Sequence, residues 1–567
     1  MTGSRVLCVA EKPAIAKAVA QHLSGGVMQT IPTGSQYVKN YVFEFNFGRP
    51  WGNCSVTMTS VLGHLTTLDF ERQYKGWLSC PPGALFEAPV HEFVDSTVIE
   101  KGNILELRFA NKQKKATLVL PLNVPDSAIL NERAHVLSAA RALIDLDDLQ
   151  VNAVAARIEL DLRIGAAFTR LQCLQLKPLS ETLSDTVISY GSCQFPTLGF
   201  VVDRYLRVKN FKPEKFWGIK VMHNRDGIKV NFLWRRIHLF DRAAVTVMLE
   251  RCLMAQNAKV TKVNQKPTSK WRPLPLTTVD LQMMGNQFDK GIDLKKLIEK
   301  QLPDGNWGQY ARGAPRAGRH NDQAHPPIHP ICWVAPSALS ADEKKVYEFV
   351  VRRFLACCAE DAKGQTSEVE IQYGDETFHA KGLIVLERNY LDVYVYDKWE
   401  STQQLPEFRM GEFFEPAEAN IFDGTTTPPN YLTEPELIGL MDANGIGTDA
   451  TMAEHIAKIK EREYVAVNSR GSGRNAVKEL IPTRLGIALV EGYDNVFAGL
   501  PDSPSLSKPF LRKEMELRMR EICTGSKSRQ QVVQENLEKY REVFIHTQRR
   551  INLLKDACRK YIVEGAT

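Results

Sequence analysis

Several groups in this chain have residue types and spacings suited to chemistry on a phosphate or a metal ion. Glu11 and Lys12 stand between the apolar run Arg5-Val6-Leu7-Cys8-Val9-Ala10 and the helical spacing of Ile15, Ala16, Val19, Ala20 and Leu23. A carboxylate and an amine between a strand's end and a helix N-terminus sit where α/β sheets place active groups. A surface ion pair fits the same two residues equally well. Gly447-Thr448-Asp449-Ala450-Thr451 feeds hydroxyls into the start of a helix, whose unpaired N–H groups and dipole would suit a phosphate. An ordinary capped helix that holds nothing reads the same way. Arg157 and Asp161 lie four apart on one predicted helix face, where they can pair. His325 and His329, also four apart, sit in a proline-locked loop and suit a metal or a phosphate. Only Cys332 stands nearby as a third ligand, which makes metal the weaker of the two.

The elements that must position these groups can be read from periodicity. Arg5–Ala10 is a buried strand, and Thr57–Val61 is a second. From Glu132 to Thr169 the spacing is helical. The small-residue loop Ile188–Gly199, containing Gln194, precedes a helix over Leu198–Leu206, and its small side chains would let a ligand approach the backbone. Parts of Phe216–Val263 and Glu368–Trp399 alternate as antiparallel strands. Ala341–Ala359 is an amphipathic helix, and the chain from Ser526 on is helical and charged. Thr433 and Glu436 form a capping-box pattern ahead of Leu437, Leu440 and Met441; Asn444-Gly445 stops that helix, and Met452, Ile456 and Ile459 face the next.

A length of 567 residues predicts three to five domains, with ample core at 44% hydrophobic. No apolar run is long enough for a membrane span, and the N-terminus enters a strand without a secretory pattern. Eleven cysteines, none in a C-x-x-C pair, argue against a zinc module or a disulfide framework and for a reduced, intracellular setting. The net charge is +6, and residues 262–320 alone hold eleven Lys/Arg against five Asp/Glu. Trp271 and Trp307 lie within that stretch. Cations beside flat rings suit a nucleic-acid groove, although a solvated basic loop has the same composition.

Taken in order, AEKP, SVLGHL, ELDLRIGAAFTR, SYGSCQFPTLGFV, KWRPLPLTTVDL, NDQAHPPIHP, LACCAEDAKGQ and NGIGTDATMAEHI closely resemble a type IA DNA topoisomerase of the eukaryotic topoisomerase III branch. The resemblance covers nearly the whole chain. It implies a multidomain α/β and α+β fold: a Toprim-like α/β domain with helical and β-rich domains forming a toroidal clamp. The implied division is 1–145 for the Toprim-like part, 146–212 and 431–567 for the helical DNA-binding domain, 213–275 and 364–430 for a β-rich arch, and 276–363 for a gate. Glu11 would be the acid near the scissile phosphate and a partial Mg2+ ligand, with Lys12 beside it. Arg157, Asp161, Gln194, His325, Thr448 and Thr451 match positions that hold single-stranded DNA. The implied partners are single-stranded DNA, a RecQ-type helicase and an OB-fold accessory protein, with no membrane, and the implied location is the nucleus.

The resemblance breaks at two places. The strand-like Thr117-Leu118-Val119-Leu120 is followed by Pro121-Leu122-Asn123-Val124-Pro125, where the family has an alternating acid triad for Mg2+. Leu281-Gln282-Met283-Met284-Gly285 runs directly into Asn286-Gln287-Phe288-Asp289, where the family has a nucleophilic tyrosine. The nearest tyrosine downstream, Tyr310, sits in a different motif. One Glu is a poor Mg2+ site, and covalent capture needs an oriented hydroxyl. The resemblance implies an enzyme that cuts, passes and rejoins single DNA strands, and the expectation is a topoisomerase III relative that lacks strand cleavage; the alternative is a non-catalytic single-strand clamp or a scaffold for a RecQ-type helicase complex.

Overall fold

The structure is a computed structural model. It describes residues 4–10, 12–33, 37–49, 51–60, 66–94, 133–141, 147–277, 281, 328, 330, 338–400, 403, 405–448, 451–471, 476–499 and 505–565. Glu11, Tyr310 and His325, with the segments around both breaks, lie outside the described residues. The chain forms two compact units, one of Met1–Val202, Leu437–Asn468 and Leu480–Thr567, the other of Asp203–Glu436 and Ser469–Glu479.

The first unit opens with β1 (Ser4–Ala10) and α1 (Pro13–Ser24), then β2 (Gln29–Pro32), β3 (Lys39–Asn46) and β4 (Asn53–Ser60). The described strands run in the order β1-β4-β3-β2, parallel between β1 and β4 and antiparallel elsewhere. Alternation puts Tyr41, Phe43 and Phe45 of β3 on one face, opposite Met58, Val56 and Cys54 of β4. Ala16, Val19, Ala20 and Leu23 of α1 complete this core. Lys12 stands at the N-cap of α1, exposed. A hairpin of β5 (Thr66–Phe70) and β6 (Val90–Val94) follows.

The helical spacing read over Glu132–Thr169 resolves into α2 (Arg133–Arg141) and α3 (Asp148–Leu176). Asp147 ends any continuity: its carboxylate accepts from the N–H groups of Leu149 and Gln150, a cap that starts α3 afresh. α4 (Gln194–Lys209) begins four residues before the helix expected at Leu198. Pro196 lies in its first turn, where a missing N–H costs nothing, so the proline marks the helix start rather than a loop.

In the second unit, β7 (Lys215–Arg225) and β8 (Ile228–Trp234) form a hairpin. The Asp241-capped helix α5 (Arg242–Met254), which strand alternation did not reveal, separates it from β9 (Ala258–Lys270). After α6 (Ala341–Cys358), with a complete Ser340–Glu343 capping box, come β10 (Ala362–Tyr373), β11 (Glu376–Glu387), β12 (Phe413–Phe414) and β13 (Glu418–Thr425). They make a sheet in the order β12-β9-β10-β11-β8-β7-β13 over a core that includes Phe232, Trp234, Ile371 and Phe378.

α7 (Glu434–Ala443) starts on the expected capping box, with Thr433 N–H donating to Glu436 Oε2 at 2.8 Å and Glu436 N–H returning to Thr433 Oγ1 at 3.4 Å. The buried face of α7 is Leu437, Ile438 and Met441, so Ile438 takes the place expected for Leu440. α8 (Met452–Glu461) buries Met452, Ile456 and Ile459, as its spacing predicts. α9 (Arg484–Phe497), α10 (Phe510–Cys523), α11 (Arg529–Arg549) and α12 (Ile551–Cys558) complete the first unit. Among the described residues no helix is long and apolar enough to cross a membrane.

Candidate nucleic-acid interface

An aromatic core fixes the frame of the site. Phe168 of α3, Tyr190, Phe195 of α4, Tyr493 of α9 and Phe544 of α11 pack ring against ring, and all but Tyr190 and Phe544 are fully shielded from solvent. The 188–193 loop is tied to α3: Tyr190 N–H donates to Thr169 Oγ1 at 2.9 Å. α4 lies so close to the 505–507 turn that a Cβ on Gly199 would stand 2.0 Å from the Ser507 carbonyl oxygen. Gly191 lies in the loop whose small side chains are expected to let a ligand approach the backbone. Its space is instead taken by the side chain of Gln194, whose Cδ lies 2.8 Å from where a Cβ would be.

Arg157 and Asp161, expected to pair with each other across one turn of α3, do not. Arg157 Nη2 donates to Glu516 Oε2 at 2.5 Å. Asp161 Oδ1 accepts from Arg512 Nη1 and from Ser192 Oγ, both at 2.7 Å. Arg512 Nη2 donates to Glu516 Oε1, which closes the chain Arg157–Glu516–Arg512–Asp161–Ser192. Two carboxylates supplied from α3 and α10 outcompete a direct i,i+4 bond because Arg512 is buried and must be neutralised. Burial lowers the pKa of Arg512, but the carboxylates of Asp161 and Glu516 raise it, so the guanidinium stays charged.

This chain touches the turn before α8. The Cys193 thiol meets the backbone of Gly447, and burial, partly offset by Arg512, pushes that thiol up to about 11. α7 closes with Gly445 N–H on Asp442 O and Ile446 N–H on Met441 O, and Gly445 (φ 66°) and Gly447 (φ 83°) take left-handed conformations that reverse the chain. Thr448 N–H then donates to Thr451 Oγ1 at 2.9 Å, with the two hydroxyls 3.1 Å apart. His455, one turn along α8, has its pKa lowered by burial and by Arg512 against an opposing pull from Asp161.

Arg157 and Asp161 are therefore joined in one network of the first unit, and Thr448 and Thr451 pair with each other in the turn that Cys193 meets, with no described hydrogen bond tying Gln194 to either. Lys12 is not linked to them by any described contact, and Glu11 and His325 lie outside the described residues. Arg157 Nε and Gln194 Oε1 are buried without hydrogen-bond partners, a donor and an acceptor left over beside partly exposed side chains. Sequence reading missed Arg512, Glu516, Ser192 and His455. The i,i+4 spacing of Arg512 and Glu516 in one helix was the available signal. Tyr190 and Tyr540, beside Asp161 and Arg512, are buried, and desolvation holds their phenols above the ordinary tyrosine range, with Asp161 adding to the shift and Arg512 opposing it.

A family model described as DNA topoisomerase matches residues 145–290 and 287–534 of this chain. DNA topoisomerase 3 of Schizosaccharomyces pombe is 44% identical over 621 aligned positions, covering 99% of each chain. The chain belongs to the type IA topoisomerase III family. DNA topoisomerase 3 of Saccharomyces cerevisiae is 40% identical over 96% of this chain and 97% of its own. DNA topoisomerase 3-alpha of Homo sapiens is 39% identical over 99% of this chain and 60% of its own. Full-length topoisomerase I from Thermotoga maritima shares the type IA fold, with a TM-score of 0.61 at 19% identity over 96% of this chain and 90% of its own. The topoisomerase family match divides at 287–290. Against a chain of 567 residues, the 621-position alignment leaves at least 54 positions facing no residue here.

Topoisomerases of this family commonly use Mg2+. Among the described residues no group of three His, Cys, Asp or Glu side chains could hold a metal. At the start of β3 and the end of β4, the buried oxygens without partners are Asn40 Oδ1, Thr59 Oγ1 and Ser60 Oγ. These are neutral donors, whereas Mg2+ is ordinarily held through at least one carboxylate. The described residues do not by themselves fit the ion.

Proposed function

We propose that this member of the topoisomerase III family holds single-stranded DNA but does not cut it. The observation that carries the reading is the hydrogen-bonded chain joining Arg157 to Asp161 and Ser192, whose neighbour Cys193 meets the Gly447 backbone in the turn that carries Thr448 and Thr451. That arrangement offers a guanidinium, hydroxyls and a helix N-terminus to a phosphate backbone, and we assign Gln194, by resemblance, to the same set. Loss of cleavage is supported by the sequence across residues 281–289, which carries no tyrosine, and by the division of the family match at 287–290. We assign the β1–β4 sheet with α1 to a shortened Toprim part, Glu11 and Lys12 to its remnant, and His325 to the DNA-holding set. The family resemblance further proposes a nuclear setting and docking to a RecQ-type helicase and an OB-fold protein.

Fluorescence anisotropy with labelled oligonucleotides tests the binding half. The chain should bind single strands in preference to duplex, with affinity falling as salt rises, and Arg157→Ala should weaken it. Equal affinity for duplex at moderate salt would sink the proposal.

A further inference from the structure

Arg157 is the outermost cation of the proposed interface, yet it is not free. Glu516 Oε2 accepts from its Nη2 at 2.5 Å, while Glu516 Oε1 is pinned by the buried Arg512, which also holds Asp161. Two guanidinium groups and two carboxylates therefore share one network with a formal charge of zero. The side chains of Arg157 and Asp161 are 36% and 41% exposed, those of Glu516 and Arg512 23% and 5%. The carboxylate that holds Arg157 therefore lies deeper than the guanidinium it balances, while Asp161 stays at the surface on the far side of Arg512.

We propose that Glu516 is a positioning residue that sets the strength and salt dependence of single-strand binding, fixing Arg157 in one rotamer while cancelling its charge. The inference rests on the single-strand reading above. A guanidinium held this way keeps N–H groups on Nη1 for a phosphate oxygen, so it guides the strand by direction. It releases little counterion, so it does not grip the strand by bulk charge. Weak, oriented contacts of this kind suit a protein that must let a strand go.

The test is the slope of log K against log salt for single-strand binding to the full chain. Each uncompensated positive charge steepens that slope by about 0.7 and raises affinity about fivefold at ~0.1 M salt. Glu516→Gln should therefore bind more tightly and with a steeper slope, although it removes a hydrogen-bonded ion pair. Glu516→Asp, which keeps the charge, should leave the slope at its wild-type value. Should Glu516→Gln fold poorly, Glu516→Gln combined with Arg512→Met restores neutrality and replaces the pair with groups that interiors tolerate; its slope should match wild type. A flat or weakened response in folded Glu516→Gln, or a steeper slope in the neutral double variant, would overturn the proposal. If Arg157→Ala weakens binding while Glu516→Gln changes nothing, only this inference fails. If the wild-type chain does not bind single strands at all, the functional reading fails beneath it.

Discussion

Asp161 and Arg512, 351 residues apart in sequence, are joined by a 2.7 Å hydrogen bond between Oδ1 and Nη1, and the same arginine donates to Ser192 Oγ at 2.6 Å. The pair links α3 to α10 and fixes the loop that leads into α4. Removing one partner of a buried pair leaves the others uncompensated, at a cost of about 3–5 kcal/mol when both are fully desolvated. Asp161 remains 41% exposed, so Arg512→Met alone should cost about 2–3 kcal/mol, measured by urea unfolding of the first unit. A change under about 0.5 kcal/mol, the ordinary range for surface substitutions, would show that the network is not structural.

Gly199→Ala should destabilise the chain by at least ~2 kcal/mol, because the added methyl would sit 2.0 Å from the Ser507 carbonyl and neither backbone can yield cheaply. Thermal unfolding should shift down, and single-strand binding should fall with the displacement of Gln194. An unchanged melting curve would mean that α4 and the 505–507 turn are not in contact.

His455 supplies the pH dependence. Burial and then Arg512 lower its folded pKa below the ordinary value of 6.5, with Asp161 and Glu454 pulling the other way. A depressed histidine favours the native state while neutral. Its contribution is complete above 6.5 and is lost as pH falls from there through the folded value. Urea midpoints should therefore decline below pH 6.5, and His455→Gln should flatten that part of the profile. A decline of the same size in the variant would assign it to other groups.

Cleavage provides the sharpest check. Incubation with end-labelled single-stranded DNA and Mg2+ should leave no protein covalently attached to a DNA end, and Glu11→Gln should change nothing in that assay, because an acid cannot assist a step that lacks a nucleophile. An adduct at Tyr310 that disappears in Tyr310→Phe would show a rebuilt active site.

Local patterns were legible wherever one side chain's neighbours lie within a turn or a pleat. The Thr433–Glu436 capping box, the Asn444-Gly445 stop and the Met452–Ile456–Ile459 face of α8 depend on contacts three to five residues away, and all three are present. The Leu198 helix start was misplaced because small residues and proline suit both a loop and a first helical turn. α5 was missed for a related reason: its apolar residues, Val245 and Cys252 in the core, face a sheet and make only a weak helical stripe.

The sequence by itself determined the family, through ordered motifs, and the resemblance those motifs carry named the candidate residues. Tertiary structure decided which charge meets which. Arg157 and Asp161 are adjacent on α3, and sequence spacing favours their pairing. The burial of Arg512 reverses that preference, since a cation withdrawn from water must be neutralised where it lies, and Asp161 and Glu516 were the carboxylates within reach.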